Sequence, residues 1–225
     1  MANPKKVLLV EGESDKGFFE EICKKLSLDT SVIVSAPKEL GGKRNSKEGV
    51  KNVLKELLPQ LNDGRISHIA VVVDADHQKH GHGFQTTLDS LSAIVEESGF
   101  KLEKNSSSIP GLFFKNSDGL EDIGLWIMPN NRRDGMLEDC IKSSIHNKEV
   151  MLFKEVEDAV QKVSAPRFSA HSRTKVEVAT WLAWQKQPGH GLYAVITDNL
   201  LDDEHPLFKE LKFWLLKVFS DDKVL

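Results

Sequence analysis

The chain lacks the marks of several kinds of protein. Among its 225 residues there are two cysteines, Cys23 and Cys140, far apart and each inside a segment with helical periodicity. That argues against a disulfide scaffold and against a cysteine-built zinc site, and a reducing, cytoplasmic setting is expected. Long apolar runs are missing too: nothing approaches the roughly 20 residues of a membrane-spanning helix, and the stretch Val7–Val10 is too short for a signal peptide. No membrane association is expected. An excess of positive charge is also absent, since 30 Lys and Arg face 34 Asp and Glu for a net charge of −4. Coating nucleic acid indiscriminately takes many cations to neutralise phosphates, so any nucleic-acid contact must be local. Internal repeats and low-complexity linkers are missing, which favours a single domain over 1–225, with an α/β core over 1–140 and a mainly helical elaboration packed on it over 141–225.

What is present alternates between strands and helices. Val7–Val10 is a continuous, partly β-branched apolar run, the pattern of a strand buried on both faces. After Glu11-Gly12, the residues Phe18, Phe19, Ile22, Cys23 and Leu26 share one face of a helix opened by Ser14 or Asp15. Ser31–Ala36 reads as a second strand, and the spacing of Val50, Leu54, Leu57, Leu58 and Leu61 predicts an amphipathic helix from Ser46. "HIAVVVDAD", His68 to Asp76, is another buried run, again ending in carboxylates, with a helix marked by Leu88, Leu91, Ile94 and Val95 beyond it. Strands separated by helices imply right-handed crossovers and a mainly parallel, Rossmann-like sheet whose strand ends share one edge. Farther on, "LFFKNSDGLEDIGLWIM" holds apolar runs around a turn and reads as a hairpin or as neighbouring sheet strands. Helices are expected over Met136–Ile145, Lys148–Val163, Ser172–Lys186 and Pro206–Phe219.

The chemistry is concentrated at the strand ends. Glu11 closes the first strand, and Asp74 and Asp76 close the later one, where alternation lets both aspartates face the sheet edge while Ala75 turns away. Carboxylates converging on one edge repel one another unless a cation or protons sit between them. Hard divalent ions take such oxygen donors and retain waters and substrate phosphate oxygens, so Mg²⁺ or Mn²⁺ and phosphoryl-transfer chemistry are the economical expectation. A lone DxD after a strand is also common in proteins that bind no metal; the Glu11 strand end set before it is what strengthens the metal reading.

"VLLVEGESD" followed some sixty residues later by "VVVDAD" resembles the Toprim domain of topoisomerases, primases, ribosomal-RNA maturases of the M5 type and overcoming-lysogenisation-defect (OLD) nucleases. The resemblance implies a Toprim-like α/β fold, a role for Glu11 in acid/base chemistry or metal binding, and a Mg²⁺-holding role for Asp74 and Asp76. "GGKRN", Gly41 to Asn45, sits where OLD-type sequences carry a Gly-Lys loop. "DGMLEDC" resembles their later acidic element, which would make Glu138 a ligand to a second ion, and Lys175 stands where they place a late lysine near the metals. "WLAWQK" and "GLWIMPNN" are similar to a small family of stand-alone Toprim-like prokaryotic proteins. A topoisomerase would need a tyrosine nucleophile, and the single Tyr193 has no DNA-gate domain beside it; in primases and topoisomerases further acidic residues follow the aspartate pair, where this chain has His77–Gly83. The expectation is therefore a Mg²⁺- or Mn²⁺-dependent nuclease acting on DNA or RNA by hydrolysis. OLD-type modules are often fused or paired to an ATPase, so the resemblance implies a partner ATPase or a homodimer; the chain has no Walker A motif of its own.

Several residues carry open alternatives. Lys43 and Arg44 can hold a phosphate or solvate a loop, Arg132 and Arg133 can contact a nucleic-acid backbone or solvate theirs, and Lys175 can offset phosphate charge or be an exposed first-turn lysine. His77, His80 and His82 lack a fourth ligand for zinc and read as a polar loop. Trp181 and Trp184 are expected in the core rather than as a base-stacking platform. Rival functions are a non-catalytic Toprim-like module that binds nucleic acid or protein, and a haloacid-dehalogenase-type phosphohydrolase. The latter wants Thr or Val where this chain has Gln78, and leaves Glu11 unexplained.

Overall fold

The computed structural model describes residues 5–34, 47–76, 83–103 and 110–220. Lys43, Arg44, His77, His80 and His82 lie outside the described residues. Its strands are β1 (Lys5–Val10), β2 (Ser31–Val34), β3 (Ile66–Asp74), β4 (Phe100–Leu102), β5 (Leu112–Asn116) and β6 (Ile123–Met128). They form a six-stranded sheet in the order β2-β1-β3-β6-β5-β4. β1 runs parallel to β2 and β3, and β3 parallel to β6, whereas β5 and β4 add antiparallel strands at one side. The fold is thus the mainly parallel, Rossmann-like α/β sheet that the strand–helix alternation predicts, and the parallel strands deliver Glu11, Asp74 and Met128 to one edge.

The helices are α1 (Glu13–Lys25), α2 (Lys47–Asn62), α3 (Phe84–Glu97), α4 (Leu137–Ser143), α5 (Val150–Gln161), α6 (Arg173–Ala183), α7 (Ala194–Thr197) and α8 (Pro206–Phe219). Alternation along the strands splits the core into two clusters, one per sheet face. Leu9, Val71, Val73, Leu125 and Ile127 pack with α2 and α3, while Leu8, Val10, Val72, Trp126 and Met128 pack with α1, α4, α5, α6 and α8. Covering both faces explains why β6 is buried at every position and why β1 reads as an unbroken apolar run. Cys23 on α1 and Cys140 on α4 are buried free thiols, and burial pushes both up to about 12.

Local chemistry moves some boundaries. Helix α1 opens at Gly12, not at Ser14 or Asp15: Gly12 is extended (φ −143°), and Asp15, already inside the first turn, accepts a hydrogen bond from the Gly12 N–H (3.1 Å). β4 and the four-residue α7 have no periodicity long enough to announce them. Trp181 is in the core as expected, but Trp184 is 46 % exposed, because α6 ends at Ala183 and the apolar stripe ends with it.

One buried ion pair ties the C-terminal helices together. Glu177, 2 % exposed, receives hydrogen bonds from Lys142 Nζ and Arg173 Nε, both at 2.7 Å, and Lys142 also reaches Glu157 on α5 (2.6 Å). Burial alone would raise the Glu177 carboxyl; the Lys142 and Arg173 hydrogen bonds outweigh it and hold the group below its ordinary value. A depressed folded-state value means the stabilisation is complete above the unfolded value of 4.5 and is lost as pH falls below it. Glu177→Gln should therefore cost about 2 kcal/mol at pH 7, a gap that narrows as pH is brought from 7 down past 4.5. Melting curves across that range check it, and a gap independent of pH would contradict it.

Candidate functional site

The carboxyl edge of the sheet gathers Glu11, Asp15, Asp74, Asp76 and Glu138, with Lys47 and Lys175 beside them. Each arrives by a short route from a strand end. Glu11 follows β1, and Asp15 lies four residues later in the first turn of α1, so both belong to one strand-to-helix turn. Asp74 ends β3, and its Oδ1 accepts a hydrogen bond from the Leu137 N–H (2.9 Å), which fastens the strand end to the start of α4, where Glu138 is the next residue. Lys175 stands in the first turn of α6, exposed at its residue surface.

Asp76 is placed differently from the alternation expected of a strand. Its backbone is left-handed (φ 59°), and it exchanges hydrogen bonds with Gly135: Asp76 N–H to Gly135 O at 2.9 Å and Gly135 N–H to Asp76 O at 3.0 Å. Gly135 has φ 145°, and a Cβ there would meet Asp139 Oδ2 at 2.8 Å, so this bridge partner needs glycine. Lys47, the first residue of α2, donates to Ala75 O (3.0 Å) and to Asp76 Oδ2 (2.6 Å). The turn that carries the second aspartate is thus held from the α4 side by backbone and from the α2 side by an ammonium.

The carboxylates disturb one another. Burial raises Glu11, and Asp76 adds to it, while Lys47, the Asp74 backbone and Lys175 pull the other way. Burial, then Glu138 and Glu11, push Asp15 up to about 7. Asp74 is raised well above the usual carboxylate range by burial and by Asp15, Glu11 and Glu138. Glu138 is raised by burial, with Lys175 opposing. Burial would lower Lys175, but Glu138, Asp74, Asp15 and Asp76 outweigh it and raise the ammonium. Such mutual repulsion at one sheet edge is the electrostatic condition that a cation or shared protons relieve.

An all-oxygen donor set of this kind has the chemistry of a hard divalent ion. Among the described residues, however, no group of three or more His, Cys, Asp or Glu side chains is drawn together as a ready coordination cage. Asp74 and Asp76 instead give oxygens to the Leu137 N–H and the Lys47 ammonium.

Of the residues expected from sequence, Glu11, Asp74, Asp76, Glu138 and Lys175 come together. Arg132 and Arg133 are exposed on the turn after β6, their N–H groups both donating to Asn130 Oδ1 at 3.2 Å. Asp15 and Lys47 were not expected in the site. Asp15 had a signal, its position four residues after Glu11 across a strand-to-helix turn; Lys47 had none, because only the crossing of α2 over the Ala75-Asp76 turn brings it there.

Fold and site together define a mainly parallel α/β protein with a buried acidic cluster at the carboxyl edge of its sheet, and no described helix is long and apolar enough to cross a membrane. The chain belongs to the family described as protein of unknown function (DUF3226), whose profile matches residues 5–220. No curated protein and no solved structure matches it.

Proposed function

We propose that the protein is a Mg²⁺- or Mn²⁺-dependent phosphodiesterase, a nuclease acting on DNA or RNA. The observation that carries the reading is the convergence of Glu11, Asp15, Asp74, Asp76 and Glu138 on one sheet edge with Lys175 beside them. The resemblance of the Glu11 and Asp74–Asp76 elements to Toprim domains of the OLD type supports it. Glu11, Asp15, Asp74 and Asp76 would hold one ion, and Glu138 would contribute to a second. When bound, such ions offset charge on a phosphodiester and lower the pKa of a bound water. Glu11, which burial makes more basic than an ordinary carboxylate, would in its ionised form take a proton from an attacking water. Lys175 would offer a point charge to a phosphate oxygen. Arg132 and Arg133, on the same edge, are candidates for the nucleic-acid backbone, as are Lys43 and Arg44. A cytoplasmic location fits the buried, unreactive thiols, and assembly as a homodimer or with a partner ATPase belongs to the same proposal.

The engagement of Asp76 by Lys47 favours a second reading, a module that binds nucleic acid or a protein without cutting. Mn²⁺ titration with cleavage assays on single- and double-stranded DNA and structured RNA separates the two. Wild type should cleave at least one substrate and Asp76→Ala none. Equal inertness of both proteins, with nucleic-acid binding retained by wild type, would transfer the conclusion to the binding module.

A further inference from the structure

Lys47 makes contacts that an ordinary surface ion pair does not. Its side chain is 17 % exposed, and that of its partner Asp76 is 40 % exposed. The 2.6 Å contact to Asp76 Oδ2 is short even for a charge-assisted hydrogen bond. The second acceptor, Ala75 O, lies on the same turn at 3.0 Å, so one lysine grips the backbone and the carboxylate of adjacent residues. That turn cannot drift: Asp76 is bridged to Gly135 through paired backbone hydrogen bonds, and Ala75 O also accepts from the Gly83 N–H (2.9 Å). The side chain of Asp76 is therefore the part of the turn left to choose between partners. A cation already sits on it, and that cation belongs to the chain.

We propose that Lys47 is a positioning residue that serves as an internal counter-cation for Asp76, so that a divalent ion entering the cluster must take this carboxylate from the lysine. The proposal rests on reading the acidic cluster as a cation site. It gives the second aspartate of the cluster a counter-charge within the chain, since the Asp76 carboxylate is turned to Lys47. It also predicts an effect of opposite sign to structural damage. Loss of a merely structural lysine would loosen the turn and weaken ion binding. Loss of a competitor strengthens it, because an ion then no longer binds only the fraction of molecules in which Asp76 is released. If Lys47 holds Asp76 for about nine-tenths of the time, removing it tightens the apparent affinity about tenfold.

Mn²⁺ binding to the whole chain, measured by calorimetry and by the electron paramagnetic resonance of the free ion without nucleic acid, tests this. Lys47→Met should bind Mn²⁺ about tenfold more tightly than wild type, whereas Lys47→Arg, which keeps the competing charge, should stay near wild type. Should Lys47→Met fail to fold, Lys47→Gln, neutral but with N–H groups to offer Ala75 O, makes the same comparison with the same expected sign. A folded Met or Gln variant that binds Mn²⁺ no more tightly than wild type overturns the role of Lys47. Asp74→Asn is the control for the underlying reading. If wild type binds Mn²⁺ no better than Asp74→Asn, the cation site fails and takes the Lys47 proposal with it. If wild type alone binds and Lys47→Met is no tighter, only the Lys47 proposal falls.

Discussion

Asp74→Asn should make the protein more stable in the absence of divalent ions and, if the protein is the proposed metal-dependent nuclease, at least about 100-fold less active in their presence. Asp74 is the member of the cluster on which burial and the charges of Asp15, Glu11 and Glu138 all press. Asparagine keeps the oxygen that accepts from the Leu137 N–H at 2.9 Å and replaces the other oxygen by an N–H donor that neighbouring carboxylates welcome. Relief of repulsion in a partly solvated cluster is worth about 1 kcal/mol, or roughly 2–4 °C in melting temperature for a chain of this size. The pH dependence has a defined sign. With Asp15 raised from 3.8 to about 7, the folded cluster keeps protons that the unfolded chain has released, so its contribution to stability is full below 3.8 and lost as pH rises through about 7. The advantage of Asp74→Asn is therefore largest at pH 8 and shrinks as pH falls from about 7 toward 3.8. Melting in EDTA across that range is the measurement, and a variant less stable than wild type at pH 8 would refute the electrostatic account. On the proposed cation site, added Mn²⁺ should reverse the order, because wild type would then gain stability by binding and Asp74→Asn would not.

Gly111→Ala should be the most damaging added methyl among the described glycines outside the site, costing about 4 kcal/mol or more. Gly111 has φ 95°, where a side chain is strained, and its Cβ would lie 2.1 Å from Trp214 Cδ1 and 2.7 Å from Nε1. Trp214 cannot move aside: it is wholly buried and packs on Trp126 of β6 with ring centroids 5.5 Å apart. Gly124 on β6 makes room from the other direction, its Cβ position being 2.6 Å from Val218 and 3.1 Å from Trp214 Cζ2. Helix α8 is thus seated on the sheet through a tryptophan that fits only between glycines. Denaturant unfolding should show the loss, and Trp214→Leu in the Gly111→Ala background should recover part of it. A Gly111→Ala protein within about 1 kcal/mol of wild type would show that α8 can shift to absorb the methyl.

Neither the glycine pocket nor the lysine contact could be read from the sequence, and the reason is common to both. Gly111 and Trp214, like Lys47 and Asp76, are remote in the chain and meet only through packing between elements. Periodicity reports which face of an element is apolar and nothing about what lies opposite. The same limit hid the end of α6, where Trp184 has the spacing of a core residue but lies past the last helical turn.

By itself, the sequence determined the strands β1, β3 and β6, the bounds of α8 from Pro206 to Phe219, the mainly parallel sheet, and the arrival of Glu11 and Asp74 on one edge. Those follow from local rules: buried runs, helical stripes and the handedness of crossovers. Only the tertiary structure decided that Asp15 joins them, that Asp76 leaves the strand through a left-handed turn clamped by Gly135, and that Lys47 holds its carboxylate. These depend on how α1, α2 and α4 begin against the sheet edge. Electrostatic neighbours at such an edge are set by the packing of whole elements, whose energy is spread over many apolar contacts and written at no single position.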